Sequence, residues 1–172
     1  LGRESLNMKV VSLVPSITEA LFDLSLSENE VIGRTKFCIH PENKVKNVPV
    51  IGGTKNINID KIRALQPDLI LANKEENIKE QVEALMDDFK VIVTNVETIE
   101  DNYYLLKTLG NLFNKEERAQ QFNLKIYEVL EQAKLNSAIK AAYLIWKNPY
   151  MTIGSDTFIH RILSEIGFEN IF

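Results

Sequence analysis

Short, nearly continuous apolar runs alternate with amphipathic stretches along the first two thirds of the chain. Lys9–Val14 (KVVSLV) reads as a strand covered on both faces, Asp68–Ala72 (DLILA) as a buried strand, and Val31–Arg34 and Lys90–Thr94 (KVIVT) as further strands. Between them the apolar spacing changes to three and four residues. This predicts helices over Glu19–Leu26, from Asn58 to Leu65 before Pro67, over Asn77–Asp88, and from Thr98 to Leu112. The first is led by a capping-box pattern, Ser16-Ile17-Thr18-Glu19. Thr35–Val48 is polar and contains Pro41, so it reads as an irregular loop, followed by an extended Val48–Ile51 and a Gly52-Gly53 turn. Repeated strand–helix alternation predicts a parallel, doubly wound α/β sheet with right-handed crossovers. Ligands of such sheets bind beyond the carboxyl ends of the strands. The loops expected there are Pro15–Thr18, Thr35–His40, Gly52–Asn56 and Lys74–Glu76.

A longer helical pattern follows, Asn114 to Ser137. Asn114 is a candidate N-cap with Glu117 three residues on, and Ala119, Phe122, Ile126, Val129, Leu130 and Ala133 form one apolar face. Uninterrupted, it would span ~35 Å at 1.5 Å per residue. It is either a strut between two lobes or a long surface helix. Beyond it, Ala141–Trp146 reads as a strand, Lys147–Asp156 as a loop and Thr157–Ile166 as a helix stopped by Gly167. The organisation expected is an α/β lobe over 1–113, a backbone helix over 114–138, and the start of a second, incomplete α/β lobe over 139–172. One strand and one helix do not make an independent sheet. The natural chain is therefore expected to continue, or a partner to supply strands. Apolar residues between Phe158 and Phe172 should be unusually exposed, or engaged in self-association with a second copy.

Composition narrows the function classes. The 172 residues are 45% apolar, as in ordinary globular proteins. Twenty basic against 24 acidic residues, net −4, provide no basic footprint for nucleic acid or an anionic membrane. No apolar run approaches the ~20 residues of a membrane-spanning helix. The single cysteine, Cys38, excludes an internal disulfide. The opening LGRESLN has neither the apolar core nor the small-residue cleavage site of a secretory leader. A leader removed from a longer form and the absence of one read the same way here.

Candidate chemistry is sparse. Cys38-x-His40 is the only soft-ligand cluster, and His160 lies far along the chain, short of the three or four ligands a zinc site uses. Gly52-Gly53-Thr54-Lys55-Asn56 could cradle an anion before a helix, but it has neither the P-loop spacing nor G-x-G-x-x-G. No G-x-S-x-G elbow is present; Ser12 lies in a strand and Ser16 is assigned to capping. Nothing pairs Asp60, Glu75 or Glu76 as acid and base. Trp146-Lys147-Asn148-Pro149-Tyr150-Met151 is either a core Trp with its loop or an aromatic wall for a large flat ligand, with Phe37 as a second aromatic surface.

The runs VVSLVPSITEALFDL, VIGRTKFCIHP and VPVIGGTKNINIDKIRALQPDLILA resemble the N-terminal lobe of class III periplasmic binding proteins. These are the substrate-binding subunits of ABC importers for cobalamin, haem and ferric siderophores. LGRESLN is similar to the family's opening hairpin, MTIGSDTFIHRILSEIGFENIF to the entry of its second lobe, and the long helix to its inter-lobe backbone helix. The order and spacing lie closest to the cobalamin-binding branch. The several His and carboxylates of the zinc- and manganese-binding branch are missing. Ile51-Gly52-Gly53 stands where the cobalamin branch carries a loop tryptophan.

The resemblance implies a non-enzymatic solute-binding protein, periplasmic or anchored at the cell surface, with no intrinsic cofactor. Its ligand would be a bulky metal complex, a corrinoid such as cobalamin first, a ferric siderophore or haem second, taken between two lobes and delivered to an ABC transporter permease. Ser16, Phe37, Gly53, Thr54 and Lys55 fall on the ligand-facing loops of the first lobe, and Trp146, Tyr150 and Met151 on the aromatic wall of the second. Asp60 falls at an acid that docks on basic residues of the permease; its second-lobe counterpart would lie beyond Phe172. Two rivals stand beside this reading, because a doubly wound lobe hosts many chemistries. One is a cytoplasmic enzyme or cofactor-binding protein on the same scaffold. The other is a regulatory module that uses the first lobe alone.

Overall fold

The computed structural model describes residues 8–172, so the similarity of LGRESLN to an opening hairpin lies outside the described residues. The chain forms two compact units, one ending at Asn95 and one running from Val96 to Phe172.

The first unit contains β1 (Val10–Ser12), α1 (Pro15–Asp23), β2 (Val31–Arg34), α2 (Glu42–Val45), α3 (Ile59–Leu65), β3 (Leu69–Asn73), α4 (Lys79–Met86) and β4 (Val91–Thr94). The four strands form one parallel sheet in the order β2-β1-β3-β4, with Val11 beside Ile70 and Leu71 beside Ile92. Val10, Val11, Leu69, Ile70 and Leu71 are completely buried, as expected of strands with helices on both faces. Leu21 of α1, Ile62 of α3 and Leu85 of α4 complete the core. α3 starts where predicted, and Asn58 proves to be its cap, its side-chain oxygen accepting from the Lys61 N–H at 2.9 Å.

The predicted start of α1 is corrected. The helix begins at Pro15, no side chain caps it, and Ser16 is exposed in its first turn. Proline at the first helical position has its φ preset and its missing N–H needs no partner, so the chain turns helical four residues before Glu19. Thr18 is drawn inward instead. Its hydroxyl lies 2.8 Å from Ser12 Oγ, 2.9 Å from the Val14 carbonyl and 3.1 Å from Cys38 Sγ.

The second unit opens with α5 (Ile99–Phe113). Thr98 and Asp101 form a reciprocal capping box, and the Thr98 hydrogen bond holds the Asp101 carboxyl below the usual carboxylate range, with help from backbone N–H donors. Asn114, read as an N-cap, is corrected: it is the left-handed C-cap of α5 (φ 55°). The next helix, α6 (Glu116–Ala133), starts at Lys115 without a side-chain cap. Asparagine tolerates the left-handed region that helix ends require, and here that use wins. At 18 residues α6 is ~27 Å long, shorter than the spacing suggested. Its apolar face is fully covered only near its start, and Phe122, Ile126 and Leu130 are half-buried. Ala119 is buried against Gly110 of α5, whereas Val129 and Ala133 are exposed.

The predicted strand Ala141–Trp146 is two strands with different partners. β5 (Ile139–Ala141) pairs in parallel with β8 (Phe168–Asn170), whereas β6 (Leu144–Trp146) pairs antiparallel with β7 (Met151–Thr152). The chain changes partner at Ala142–Tyr143, where the Tyr143 carbonyl accepts from the Thr152 hydroxyl. α7 (Phe158–Glu165) is capped by Thr157 and has no buried residue. The expected exposure is found only at Ile171 and Phe172, whereas Phe158, Ile162, Leu163 and Ile166 are half-buried.

A β-carbon placed on Gly110 would stand 2.7 Å from Ala119 Cβ and 3.3 Å from Glu116 Cα. Ala outranks Gly in a helix by ~1 kcal/mol, but overpacking costs ~1–3 kcal/mol, so packing should win. Gly110→Ala should destabilise the unit by about 1 kcal/mol net in chemical denaturation, and Ala119→Gly in the same chain should restore part of the loss.

Candidate ligand-binding site

Order reversal fixes where a ligand would meet the first unit. The chain passes from β1 outward to β2, then returns across β1 to β3, so the loops leaving β1 and β3 diverge at their carboxyl ends. Such a switch point forms the usual binding crevice of an open α/β sheet.

The segment Ile51–Asn58 is folded over this edge as a small hairpin. The Lys36 N–H donates to the Gly52 carbonyl at 2.8 Å, Gly53 N–H to the Asn56 carbonyl at 2.8 Å, and Asn58 N–H to the Ile51 carbonyl at 2.7 Å. Gly52 has φ 118°, and a β-carbon there would strike the Asn56 carbonyl oxygen. The preceding loop is anchored from beneath. Cys38 is buried with its sulfur 3.1 Å from the Thr18 hydroxyl and 3.2 Å from that of Thr35, and the Arg34 Nε donates to the Val45 carbonyl at 2.7 Å. This anchoring turns Phe37 outward, 52% exposed, with the Lys36 ammonium 5.0 Å from its ring centroid. Phe37 lies against Gly53, whose own β-carbon position would be 3.4 Å from the ring.

Side-chain amides from the β3–α4 turn and the start of α4 hold the hairpin in place. Asn77, only 6% exposed, donates through Nδ2 to the carbonyls of Leu13 (3.2 Å) and Thr54 (3.0 Å), while its Oδ1 accepts from the Asn73 N–H at 2.8 Å. Gln81 accepts from the Ile57 N–H at 3.1 Å and donates to the Lys55 carbonyl at 3.3 Å. Asn73 closes the turn by accepting from the N–H groups of Glu75 and Glu76, and its Nδ2 donates to Thr94 Oγ1. The Lys55 ammonium donates to the Glu75 carbonyl at 2.6 Å. Burial raises the Glu76 carboxyl above the usual range; nearby Lys55 opposes the shift and Glu75 adds to it. Beside this edge a groove of about 510 Å³ is lined by Asn73, Lys74, Asn77, Val82, Met86 and Val93.

The structure therefore brings Phe37, Gly53, Thr54 and Lys55 together. Ser16 stands on the same carboxyl edge, at the exposed start of α1, with no hydrogen bond to them among the described residues. Trp146, Tyr150 and Met151 share one hairpin of the second unit, with Trp146 opposite Met151, at 64%, 68% and 50% exposure. Within this chain Trp146 lies at the surface, not in a core. Asp60, in the first turn of α3, is 96% exposed and 3.8 Å from the Arg63 guanidinium. Cys38 and His40 face different environments, buried and exposed, and no three His, Cys, Asp or Glu cluster as metal ligands among the described residues.

The sequence profile of the periplasmic binding proteins matches residues 10–172. The chain belongs to the periplasmic binding protein family. It is 29% identical over 169 residues to the vitamin B12-binding protein of Salmonella typhi, covering 95% of this chain and 62% of that protein. It is also 29% identical over 175 residues to the ABC transporter substrate-binding lipoprotein YvrC of Bacillus subtilis, covering 94% of this chain and 54% of that one. Among solved structures, the periplasmic vitamin B12-binding protein BtuF of Vibrio cholerae superposes with TM-score 0.84 at 21% identity, over 96% of this chain and 66% of that one. The chain thus spans less than two thirds of the length of these curated relatives.

Within this periplasmic binding protein, the sequence reading missed Asn73, Asn77 and Gln81. Their signal was present: three amides within the turn and first helical residues after a buried strand, where Asn favours local backbone bonding over helix continuation. What the pattern could not supply was the remote partners, Leu13 and Thr54.

Gly52→Ala should cost ~1–3 kcal/mol, because a side chain at this positive φ is strained and the Asn56 carbonyl blocks it. Urea denaturation of the single variant measures the loss, and Gly53→Ala, at ordinary van der Waals distance from Phe37, should lose less.

Proposed function

We propose that this chain is the ligand-capturing component of an ABC importer for a bulky metal complex, with a corrinoid as the first candidate. The observation that carries the reading is the family match over residues 10–172, joined to relatives that are vitamin B12-binding proteins. The exposed surfaces agree with it. Phe37 with the Gly53–Lys55 loop on one unit, and Trp146, Tyr150 and Met151 on the other, each offer aromatic area plus a few polar groups, which suits a large flat ligand. Lys55 and Thr54 supply a donor and a hydroxyl for peripheral polar groups of such a ligand. The same relatives, which are binding proteins, support a binding role rather than catalysis. Family members of this kind work in the periplasm or as anchored lipoproteins, and we place this chain in that setting.

Absorbance titration with cyanocobalamin, hemin and ferrioxamine B tests the ligand class. Cyanocobalamin should bind most tightly, and Trp146→Ala or Phe37→Ala should weaken it by about tenfold or more, as expected when an aromatic anchor is truncated. Binding of none of the three would sink this reading.

Delivery is assigned to Asp60. It is fully solvent-facing at the start of α3, where a carboxylate can meet basic residues of a permease. Asp60→Lys should slow association with a matching importer and flatten its salt dependence while leaving ligand affinity unchanged. Stopped-flow association at two ionic strengths checks this; an unchanged rate would overturn it.

A further inference from the structure

The geometry points to Asn77 as a positioning residue: its buried amide sets the ligand-facing hairpin rather than merely filling the core. The inference rests on the functional reading above only where it concerns affinity. Three chain segments meet at this one side chain. The end of β1 presents the Leu13 carbonyl at 3.2 Å, the hairpin presents the Thr54 carbonyl at 3.0 Å, and the β3–α4 turn presents the Asn73 N–H at 2.8 Å. Only a primary amide fits this set, because it offers two donors to the carbonyls and one acceptor to the N–H. Thr54 and its neighbours Gly53 and Lys55 are the residues assigned to ligand. Gln81 adds two bonds to the outer part of the same hairpin, at Lys55 and Ile57. Together the two amides prepay the ordering of the loop, which would otherwise be charged against ligand affinity.

Asn77→Asp is the informative substitution because it keeps size and the acceptor. As a carboxylate it aims negative oxygen at two carbonyl oxygens; as a carboxylic acid it can donate to one of them. Burial and the facing carbonyls raise the pKa of the introduced carboxyl, so mild acid favours the donating form. The charged groups on the three segments are Lys55, Lys74, Glu75 and Glu76, and Lys79 and Glu83 of α4 line the same groove as Asn77. They are shared with the unsubstituted protein, which is the reference at each pH.

The test is amide hydrogen exchange by mass spectrometry on the whole chain, free of ligand, at pH 8 and pH 5. Relative to the unsubstituted protein at the same pH, Asn77→Asp should speed exchange in residues 52–58 by about tenfold or more at pH 8 and by less at pH 5, with β3 and α4 little changed. Asn77→Leu should show the increase at both pH values. Gln81→Ala, at a half-buried position, should loosen only the outer part of the hairpin. Uniform acceleration across β1, β3 and α4, no acceleration in 52–58, or failure of Asn77→Asp to fold at either pH would overturn the positioning role. In parallel, the dissociation constant for cyanocobalamin should rise by about tenfold in Asn77→Asp at pH 8 and recover partly at pH 5. A faster hairpin with unchanged affinity would overturn the link to binding. If the unsubstituted protein binds no cyanocobalamin, hemin or ferrioxamine B, the functional reading fails and the exchange data alone decide the role of Asn77.

Discussion

A central parallel strand buried on both faces imposes one constraint on everything around it: the polar groups at its carboxyl end must be satisfied by other parts of the chain. β1 lies between β2 and β3 with Val10, Val11 and Ser12 fully buried, so water does not reach those groups. The solution is a set of short side chains. Thr18 and Ser12 bond to each other and to the Val14 carbonyl, and Asn77 reaches across from the β3–α4 turn to Leu13. The same groups also hold the loops that face outward. The cluster that satisfies Thr18 contains Cys38, which seats the loop bearing Phe37, and the amide that satisfies Leu13 also grips Thr54. Core satisfaction and loop placement are thus one network, and an exposed binding surface rests on buried hydrogen bonds.

The second unit is built differently. Its firm part is the α5–α6 hairpin, where a glycine facing an alanine permits close approach. Its β-structure consists of two-stranded pieces with strands of two or three residues, too small to enclose a core. Apolar residues such as Trp146, Tyr150, Ile171 and Phe172 consequently remain at the surface.

Much of the fold was legible in local pattern. The four strands of the first unit, the helix start at Asn58, the Thr98 cap and the Gly167 stop all sit where spacing and cap chemistry place them. The misplacements share a cause. Pro15 and Asn114 each have two good local uses, and sequence spacing does not rank them. Proline ended a strand by starting a helix, and asparagine closed one helix instead of opening the next. The single strand read over Ala141–Trp146 became two because its halves found different partners, which is a long-range fact.

By itself, the sequence determined the α/β class, the parallel sheet, the outward loops and the resemblance to a family, because these depend on periodicity and on short motifs in order. Tertiary structure alone decided which side chains hold those loops. Asn77 reads as one more polar residue at a helix start until the fold brings Leu13, from 64 positions away, within hydrogen-bonding distance. Hydrogen-bond satisfaction is a property of neighbours in space, and neighbours so distant along the chain are chosen only when the sheet closes its order.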